Sequence, residues 1–396
     1  MTTQTGVPTG VRPTMAVDAG AGQPRTERTG GEAGAARQRR NGAFPRQYGG
    51  WLMGDELVPD VNALEELVRT VPLFQLVGAP QMPQILRLLK PEKLTTGQVL
   101  FKQGDAGTAM WVLGEGAEVS ISAWSNAADK PVVVAYARQG ETIGEMALVD
   151  DGPRSATATV AAGGDVYRID ASDFRTLREG HHPAAFRVLR KICIDLCHRL
   201  RATSDRIVPP GEGPRRQTAL EPGPLPSPEV LDDYAPFRGL PQVVKLALAQ
   251  KLTLVESKGS ELIFSEGERG DAAYFIIDGH VNVMRRDRAL AALGPGGMFG
   301  MVALIDAGGR AATCSTAGPS RLLRLGAAEF EALFAAGHRF SHEIVNLVAR
   351  QLVQHLRVAN TLLPDSNEEP LLFDTDPEKE LLPLDQELEM ILESDP

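Results

Sequence analysis

The sequence has few cysteines and no long apolar run. Its 396 residues include three cysteines, and no stretch reaches the roughly 18 consecutive apolar residues that suggest a membrane-spanning helix. The N-terminus lacks the charged-then-apolar pattern of a signal peptide. Cys193 and Cys197 are spaced as on one helical face, and we expect the thiols to be buried rather than bound to metal. The sequence therefore predicts a cytoplasmic protein without a membrane partner.

The sequence also lacks an excess of positive charge and the motifs of common enzymes. Its formal net charge is −10, which argues against nucleic acid as a partner, because phosphate backbones are bound by clustered lysine and arginine. No nucleophile-elbow, Walker or dinucleotide-binding motif is present, and the seven histidines do not cluster at metal-ligand spacing. We predict no catalytic residue, no metal site, no cofactor and no enzymatic activity.

Residues 140–159 instead combine one carboxylate and one guanidinium in a small anion-binding pattern. Glu145 lies in a run that can begin a helical turn, where unpaired backbone N–H groups favour an anion. Arg154 begins an alternating strand, and an arginine forms charge-assisted hydrogen bonds to phosphate. An ionised glutamate only accepts hydrogen bonds, so Glu145 must face another part of the ligand, such as a sugar hydroxyl. A phosphate and a ribose hydroxyl in one compact ligand describe a cyclic nucleotide.

This stretch resembles the phosphate-binding cassette of cyclic nucleotide-binding domains. The cassette usually reads Phe-Gly-Glu-(Leu or Ile)-Ala-Leu, then Pro-Arg-(Ala, Thr or Ser)-Ala, and here only Ile143 and Met146 differ. The resemblance implies a cAMP or cGMP ligand. The ligand-binding residues that it implies are Gly144, Glu145, Met146, Ala147, Arg154, Ser155 and Ala156.

The chain contains this domain twice. Residues 262–271 and 274–283 echo residues 100–105 and 110–119, and Arg310 follows a second cassette as Arg154 follows the first. Period-two strands with glycine turns lie between helical segments. The expected fold class is α+β, with two tandem antiparallel β-roll (double-stranded β-helix or jelly-roll) domains flanked by helices. The predicted segments are a disordered basic tail (1–55), domain A (56–206), a proline-rich linker (207–230), domain B (231–363) and an acidic tail (364–396).

The second cassette departs from the pattern in two places. Gly300, Ala303 and Arg310 match, but Met301 stands for the glutamate and Gly309 for the proline. A thioether is a weak acceptor, and a hydrogen bond to a charged group contributes about 1.5–3 kcal/mol. We expect Arg310 to be less well positioned without the fixed proline φ, and Met301→Glu to restore binding if the rest of the pocket is intact. The residues of this weak or lost second site are Gly300, Met301, Ala303, Arg310 and Ala311.

The linker and the tails are the segments that could connect the two domains to each other or to a partner protein. Seven prolines lie within residues 208–228, and prolines at this density interrupt a helix. In protein kinase A regulatory subunits, which the chain resembles, a continuous helix joins the two domains. We therefore do not expect close coupling between the two sites here. Residues 39–44, Arg-Arg-Asn-Gly-Ala-Phe, resemble a kinase pseudosubstrate, although a solubilising tail is the simpler interpretation. A short partner-binding helix near residues 385–393 is an alternative to a solvated acidic tail.

The hypothesis is a cyclic nucleotide sensor that binds its ligand, cAMP rather than cGMP, in the first domain and signals to an unknown protein effector through its helices. One alternative is a regulatory subunit of a protein kinase that uses the arginine pair as inhibitor. The other is an interaction scaffold that binds no nucleotide.

Overall fold

The structure is a computed structural model that describes residues 51–53, 56–58, 61–126, 128–209, 223–286, 288–337, 339–364 and 371–372. These residues form the predicted α+β fold, with two tandem β-sandwich domains and flanking helices. The elements up to the end of the first domain are β1 (Trp51–Met53), β2 (Glu56–Val58), α1 (Val61–Thr70), α2 (Met82–Leu86), β3 (Lys90–Lys93), β4 (Val99–Phe101), β5 (Ala109–Leu113), β6 (Glu118–Ser125), β7 (Lys130–Ala137), β8 (Thr142–Ile143), β9 (Thr157–Ala162), β10 (Asp165–Asp170), α3 (Ala171–Glu179) and α4 (Pro183–Ile207).

The second domain repeats this order of elements. It consists of α5 (Gln242–Ala249), β11 (Leu252–Ser257), β12 (Leu262–Phe264), β13 (Ala272–Asp278), β14 (Val281–Arg285), β15 (Arg288–Leu293), β16 (Met298–Phe299), α6 (Val302–Ile305), β17 (Thr313–Thr316), β18 (Ser320–Gly326), α7 (Ala327–Ala335) and α8 (Arg339–Thr361), with β19 (Leu371–Leu372) after it. Short 3-10 helices lie at Pro72–Phe74, Glu145–Leu148, Pro228–Asp233 and Ala235–Phe237.

Each domain packs two antiparallel sheets over an apolar core. In the first domain the strand orders are β3-β10-β5-β8 and β4-β9-β6-β7, and in the second they are β11-β18-β13-β16 and β12-β17-β14-β15. Trp111, Val119 and Val160 lie in the first core, and Phe264 and Phe299 in the second. The alternating strands bury one face of each sheet, and the cassettes follow β8 and β16, at corresponding points of the two domains.

The longest helix of each domain packs against that of the other. Proline begins α4, where its missing N–H costs nothing, and His182 caps the helix by accepting from the Ala184 N–H at 3.1 Å. The apolar faces of α4 and α8 bury each other, with Leu189 and Val345 both fully buried in one core. The two domains are thus in close contact through these helices, although the proline-rich linker led us not to expect close coupling between the two sites. The prolines indicate the conformation of the linker only. They do not indicate which surfaces of the two domains pack against each other.

The tails carry two short strands that were not expected. Trp51–Met53 pairs with β2 although residues 1–55 were predicted to be disordered, and Leu371–Leu372 of the acidic segment adds a parallel strand beside β7. Both strands are short runs of apolar residues. The polar residues around them gave no indication of a strand. Residues 39–44 and 385–393 lie outside the described part of the chain.

The cysteines are free thiols within the domains. Cys193, Cys197 and Cys314 are buried, as expected, and burial raises the pKa of each thiol. A buried thiol with a raised pKa is a poor nucleophile and a poor metal ligand. Among the described residues, no helix combines the length and apolar character needed to cross a bilayer.

Candidate functional site

The cassette of the first domain folds Arg154 underneath the turn that begins at Gly144. Gly144 has a φ of 77°, which favours glycine, and a Cβ added there would lie 2.6 Å from Arg154 Nη1. Arg154 is 6% exposed and donates to the carbonyl oxygens of Ala109 at 2.6 Å and Gly144 at 3.1 Å. Its guanidinium carbon lies 4.0 Å from the centre of the Phe101 ring. The glycine and the arginine of the motif are thus one structural unit.

The arginine stays positively charged although it is buried. Burial lowers the pKa of Arg154 to about 10, against the attraction of Glu145 and Asp105, so the group is protonated at neutral pH. Its Nε atom has no hydrogen-bond partner. Two neutral carbonyls and an aromatic face hold the cation in place, and an anion would bind it more strongly than these dipoles do.

Glu145 is buried and paired with a residue from the long helix. It is 4% exposed, and its Oε1 accepts from Nη1 of Arg199, on α4, at 2.5 Å. Arg199 was not predicted from the sequence, because a charged residue on a helix with other polar residues carries no local signal of its partner. The carboxylate is therefore directed toward α4 rather than exposed to solvent.

The remaining predicted residues of the first site lie around this pair. The Ala147 N–H donates to the Gly144 carbonyl at 3.0 Å, Ala156 is buried, and the Ser155 hydroxyl lies 3.3 Å from the sulfur of Met146. The structure brings all seven predicted positions of the first site together in one cassette. The part of the chain that the structure describes contains no cluster of three potential metal-binding side chains.

The long helix of each domain also holds the cassette of the other. Arg357 on α8 donates to both carboxylate oxygens of Asp150, at 2.8 and 2.9 Å, just after the first cassette turn. Arg201 on α4 does the same to Asp306 of the second cassette, at 2.8 and 3.0 Å, and also reaches the Gly309 carbonyl at 2.9 Å. We call these two pairs the crossed clamps. Each cassette is thus bonded to the long helix of the opposite domain.

The second cassette reproduces the backbone and the arginine of the first. Arg310 is 2% exposed, donates to Ala272 and Gly300 carbonyls at 2.8 and 2.7 Å, and lies 4.0 Å from the Phe264 ring centre. Gly309 forms the same isolated bridge to a neighbouring loop that Pro153 forms in the first domain. The expectation that Arg310 is less well positioned without proline is therefore wrong. The bridge between Gly309 and Arg269 fixes the backbone next to Arg310, which is the role that a proline ring would have had.

The charges around the second cassette are changed in three places. Met301, in the position of Glu145, is fully buried. His355 on α8 occupies the place that Arg199 has on α4, and its Nε2 has no partner. Asp271 stands where the first domain has Thr108 and accepts from Arg310 Nη2 at 2.6 Å. The second site thus has no counterpart of Glu145 or of Arg199, and its Arg310 is already paired with Asp271. The two sites therefore differ at more positions than Met301 alone.

The second cassette opens into an apolar cavity of about 200 Å³. Gly300, Met301, Ala303, Arg310 and Ala311, the predicted residues of the second site, all line it. The far walls come from both long helices, with Leu200 and Ser204 from α4 and His355 and Val358 from α8. The second site is therefore a cavity with walls from both domains.

Comparison with known proteins identifies both sandwiches. A sequence model of the family "Cyclic nucleotide-binding domain" matches residues 91–181 and 254–336. The chain is 28% identical over 276 residues to the cAMP-dependent protein kinase type II regulatory subunit of Drosophila melanogaster, covering 68% of this chain and 61% of that protein. It is 34% identical over 122 residues to the Cyclic AMP receptor protein of Thermus thermophilus, covering 29% of this chain and 56% of that protein.

A solved structure of the regulatory domain of Toxoplasma gondii PKA with cAMP is 19% identical, with a TM-score of 0.28 over 70% of this chain and 93% of that one. The matches span between 34% and 61% of the length of the first curated relatives.

Proposed function

We propose that the chain is a cyclic nucleotide sensor in which only the first domain binds the nucleotide, since residues 91–181 and 254–336 match the cyclic nucleotide-binding domain family. In this proposal a partner protein reads the resulting change in the helices. The ligand is cAMP: the curated relatives from Drosophila melanogaster and Thermus thermophilus are named for it. Ser155 favours neither base strongly, since a hydroxyl can both donate and accept.

The observation that carries the proposal is the buried pair of opposite charges in the first cassette. Arg154 and Glu145 are both less than 10% exposed, and each is held on a separate structural element. In the bound state Arg154 pairs with the cyclic phosphate and Glu145 accepts from the ribose hydroxyl. The second cassette keeps only the arginine, and Asp271 already occupies it.

Binding is coupled to the helices through two arginines on α4. A ribose hydroxyl at Glu145 competes with Arg199 for the carboxylate, and Arg201 on the same helix holds the second cassette. A ligand shifts such an equilibrium only by its differential affinity for the two arrangements. The nucleotide therefore favours the arrangement in which α4 has adjusted to the occupied cassette.

A kinase regulatory subunit is a second candidate function. The observation in its favour is the alignment with the Drosophila melanogaster regulatory subunit, which extends over both domains. The partner of the sensor would then be a protein kinase, and the arginine pair at residues 39–40 would be its inhibitory element.

The test of the first proposal is a calorimetric titration of the full chain with cAMP and with cGMP. We expect Arg154→Ala to weaken binding by about 2–5 kcal/mol, since it removes the cation that pairs with the phosphate. Arg310→Ala is the matched control, because Arg310 has the same carbonyl and ring contacts in the second domain, and it should bind as the wild type does. Equal binding by wild type and Arg154→Ala would refute the proposed site, and no binding by the wild type would favour the scaffold.

A further inference from the structure

The cavity of the second domain has the size and lining of a small-molecule site. Its volume of about 200 Å³ exceeds that of an engineered apolar cavity of ~150 Å³ that binds benzene. Side chains of Phe264, Val283, Leu290, Phe299 and Leu362 contribute to its walls. A preformed apolar cavity with few polar groups is the usual form of a small-molecule site.

The charged groups at this cavity are already balanced within the protein. Arg310 donates to Asp271 at 2.6 Å, and Asp271 accepts from Arg324 at 2.9 Å. Although burial opposes its ionisation, these two arginines hold the pKa of Asp271 below its ordinary value. Met301 adds no charge. A phosphate near Arg310 would compete with and be repelled by the Asp271 carboxylate on Nη2, whereas a neutral ligand would leave the ion pair intact.

Two side-chain nitrogens at the cavity have no hydrogen-bond partner: Nε of the charged Arg310 and, on a neutral side chain, Nε2 of His355. The Nε2 of His355 is buried and makes no hydrogen bond, and the residue lines the cavity together with Ser204. Burial lowers the pKa of His355 to about 4, so the ring is neutral near pH 7 and can donate or accept a single hydrogen bond. Buried polar atoms are rarely left unpaired in folded proteins. A ligand with one polar group would satisfy Nε2 of His355.

We propose that the second domain binds a neutral, largely apolar small molecule of about ten non-hydrogen atoms that carries one hydroxyl-like group for His355. The exchange of the Glu145–Arg199 pair for Met301 and His355 has changed the chemistry of the site from ionic to apolar. This site is separate from the nucleotide site of the first domain and does not depend on cyclic nucleotide binding.

The test uses 2-naphthol as the probe, with naphthalene and 2-naphthoate as its apolar and anionic analogues. Titrations of the full chain at pH 7, followed by probe fluorescence, should show one saturable site for 2-naphthol and at least tenfold weaker binding of 2-naphthoate. Ala291→Leu, which fills the cavity, should abolish binding. Ala289→Leu, exposed on the same strand and outside the cavity lining, is the matched control and should bind as wild type does.

The role of His355 has its own variant. His355→Leu should bind naphthalene at least as well as wild type but lose the preference for 2-naphthol, a change of about fivefold, equivalent to one neutral hydrogen bond. Arg154→Ala, which tests the nucleotide site, should bind 2-naphthol as wild type does. The proposal is overturned if the wild type shows no saturable site, if Ala291→Leu binds 2-naphthol unchanged, or if 2-naphthoate binds as tightly as 2-naphthol.

Discussion

At the scale of single residues, the two cassettes differ by exchanges that depend on one another. Glu145 pairs with Arg199, whereas Met301 and His355 line one cavity without an ion pair. Removing only the glutamate would take from the part-buried Arg199 the buried carboxylate that it bonds, and breaking a buried pair on one side is destabilising. Replacing both partners removes that penalty, which is a physical reason for finding the two exchanges together.

The unpaired histidine should make stability depend on pH. Its pKa of about 4 is below the ordinary value near 6.5, so between these values the unfolded chain binds a proton that the folded chain does not. Stability therefore falls as the pH is lowered from about 6.5 to about 4. We expect His355→Leu to lose less stability than wild type between pH 7 and pH 5 in urea unfolding. Gln354→Leu, at an exposed position next to His355 on α8, is the control and should keep the wild-type dependence, and an unchanged dependence in His355→Leu would contradict the account.

The sequence predicted the residues within each cassette but not those that reach it from elsewhere. Glu145 and Arg154 belong to one local motif, so their types and spacing identify them. Arg199 and His355 lie far away along the chain on long helices, and Asp271 lies in a loop whose neighbour is decided only by the fold. Their roles depend on packing, which local patterns do not contain. Met301 was recognised because it breaks the motif itself.

At the scale of secondary-structure elements, α4 and α8 link the two domains symmetrically. Each buries its apolar face on the other and sends one arginine to the opposite cassette, Arg201 to Asp306 and Arg357 to Asp150. Both pairs are bidentate, a geometry that resists rotation of either partner. The crossed clamps thus fix the orientation of each cassette relative to the helix pair.

The strength of a crossed clamp can be measured by a double-mutant cycle on Arg357→Ala and Asp150→Ala. The side chains are 19% and 18% exposed, and we expect a coupling energy of about 1–3 kcal/mol in urea unfolding. The exposed pair Arg69 and Glu65, with side chains 48% and 36% exposed, is the control and should give about 0.5 kcal/mol or less. Equal coupling in the two cycles would mean that the clamp is an ordinary surface contact.

Periodicity was sufficient to predict the elements but not their association. The apolar spacing after Pro183 predicts α4, and the alternating runs with glycine turns predict the sandwiches. The packing of α4 on α8 was missed because both helices need an apolar partner and either domain could have supplied it. The short strands β1 and β19 were missed because three or two residues carry no measurable period.

At the scale of the whole molecule, one domain has the charges for a nucleotide and the other supplies a cavity and a second helix. The helix pair joins them, and in the sensor proposal occupation of the first cassette is transmitted through it toward the second domain. In the sensor proposal the second domain does not bind a second nucleotide. Its part is to pass the change in the helices on to the partner protein, which contacts the helices.

The arginine pair at residues 39–40 allows a direct test of the kinase candidate. We expect the full chain not to inhibit a basophilic protein kinase in a phosphorylation assay, and addition of cAMP to have no effect on that assay, because arginine pairs are common in polar tails. The control is the variant in which both arginines are alanine. Inhibition that cAMP relieves, and that the double-alanine variant lacks, would establish the regulatory-subunit alternative instead.

The central claim is that one nucleotide site survives and that the second was lost through several exchanges together. The most direct test is the stoichiometry of cAMP binding, measured calorimetrically on wild type, Met301→Glu, and the triple variant Met301→Glu, His355→Arg, Asp271→Thr. The account predicts one site per chain in the wild type and in Met301→Glu, because Asp271 still occupies Arg310, and a second binding event in the triple variant alone. Two equal sites in the wild type, or a second site restored by Met301→Glu by itself, would contradict it.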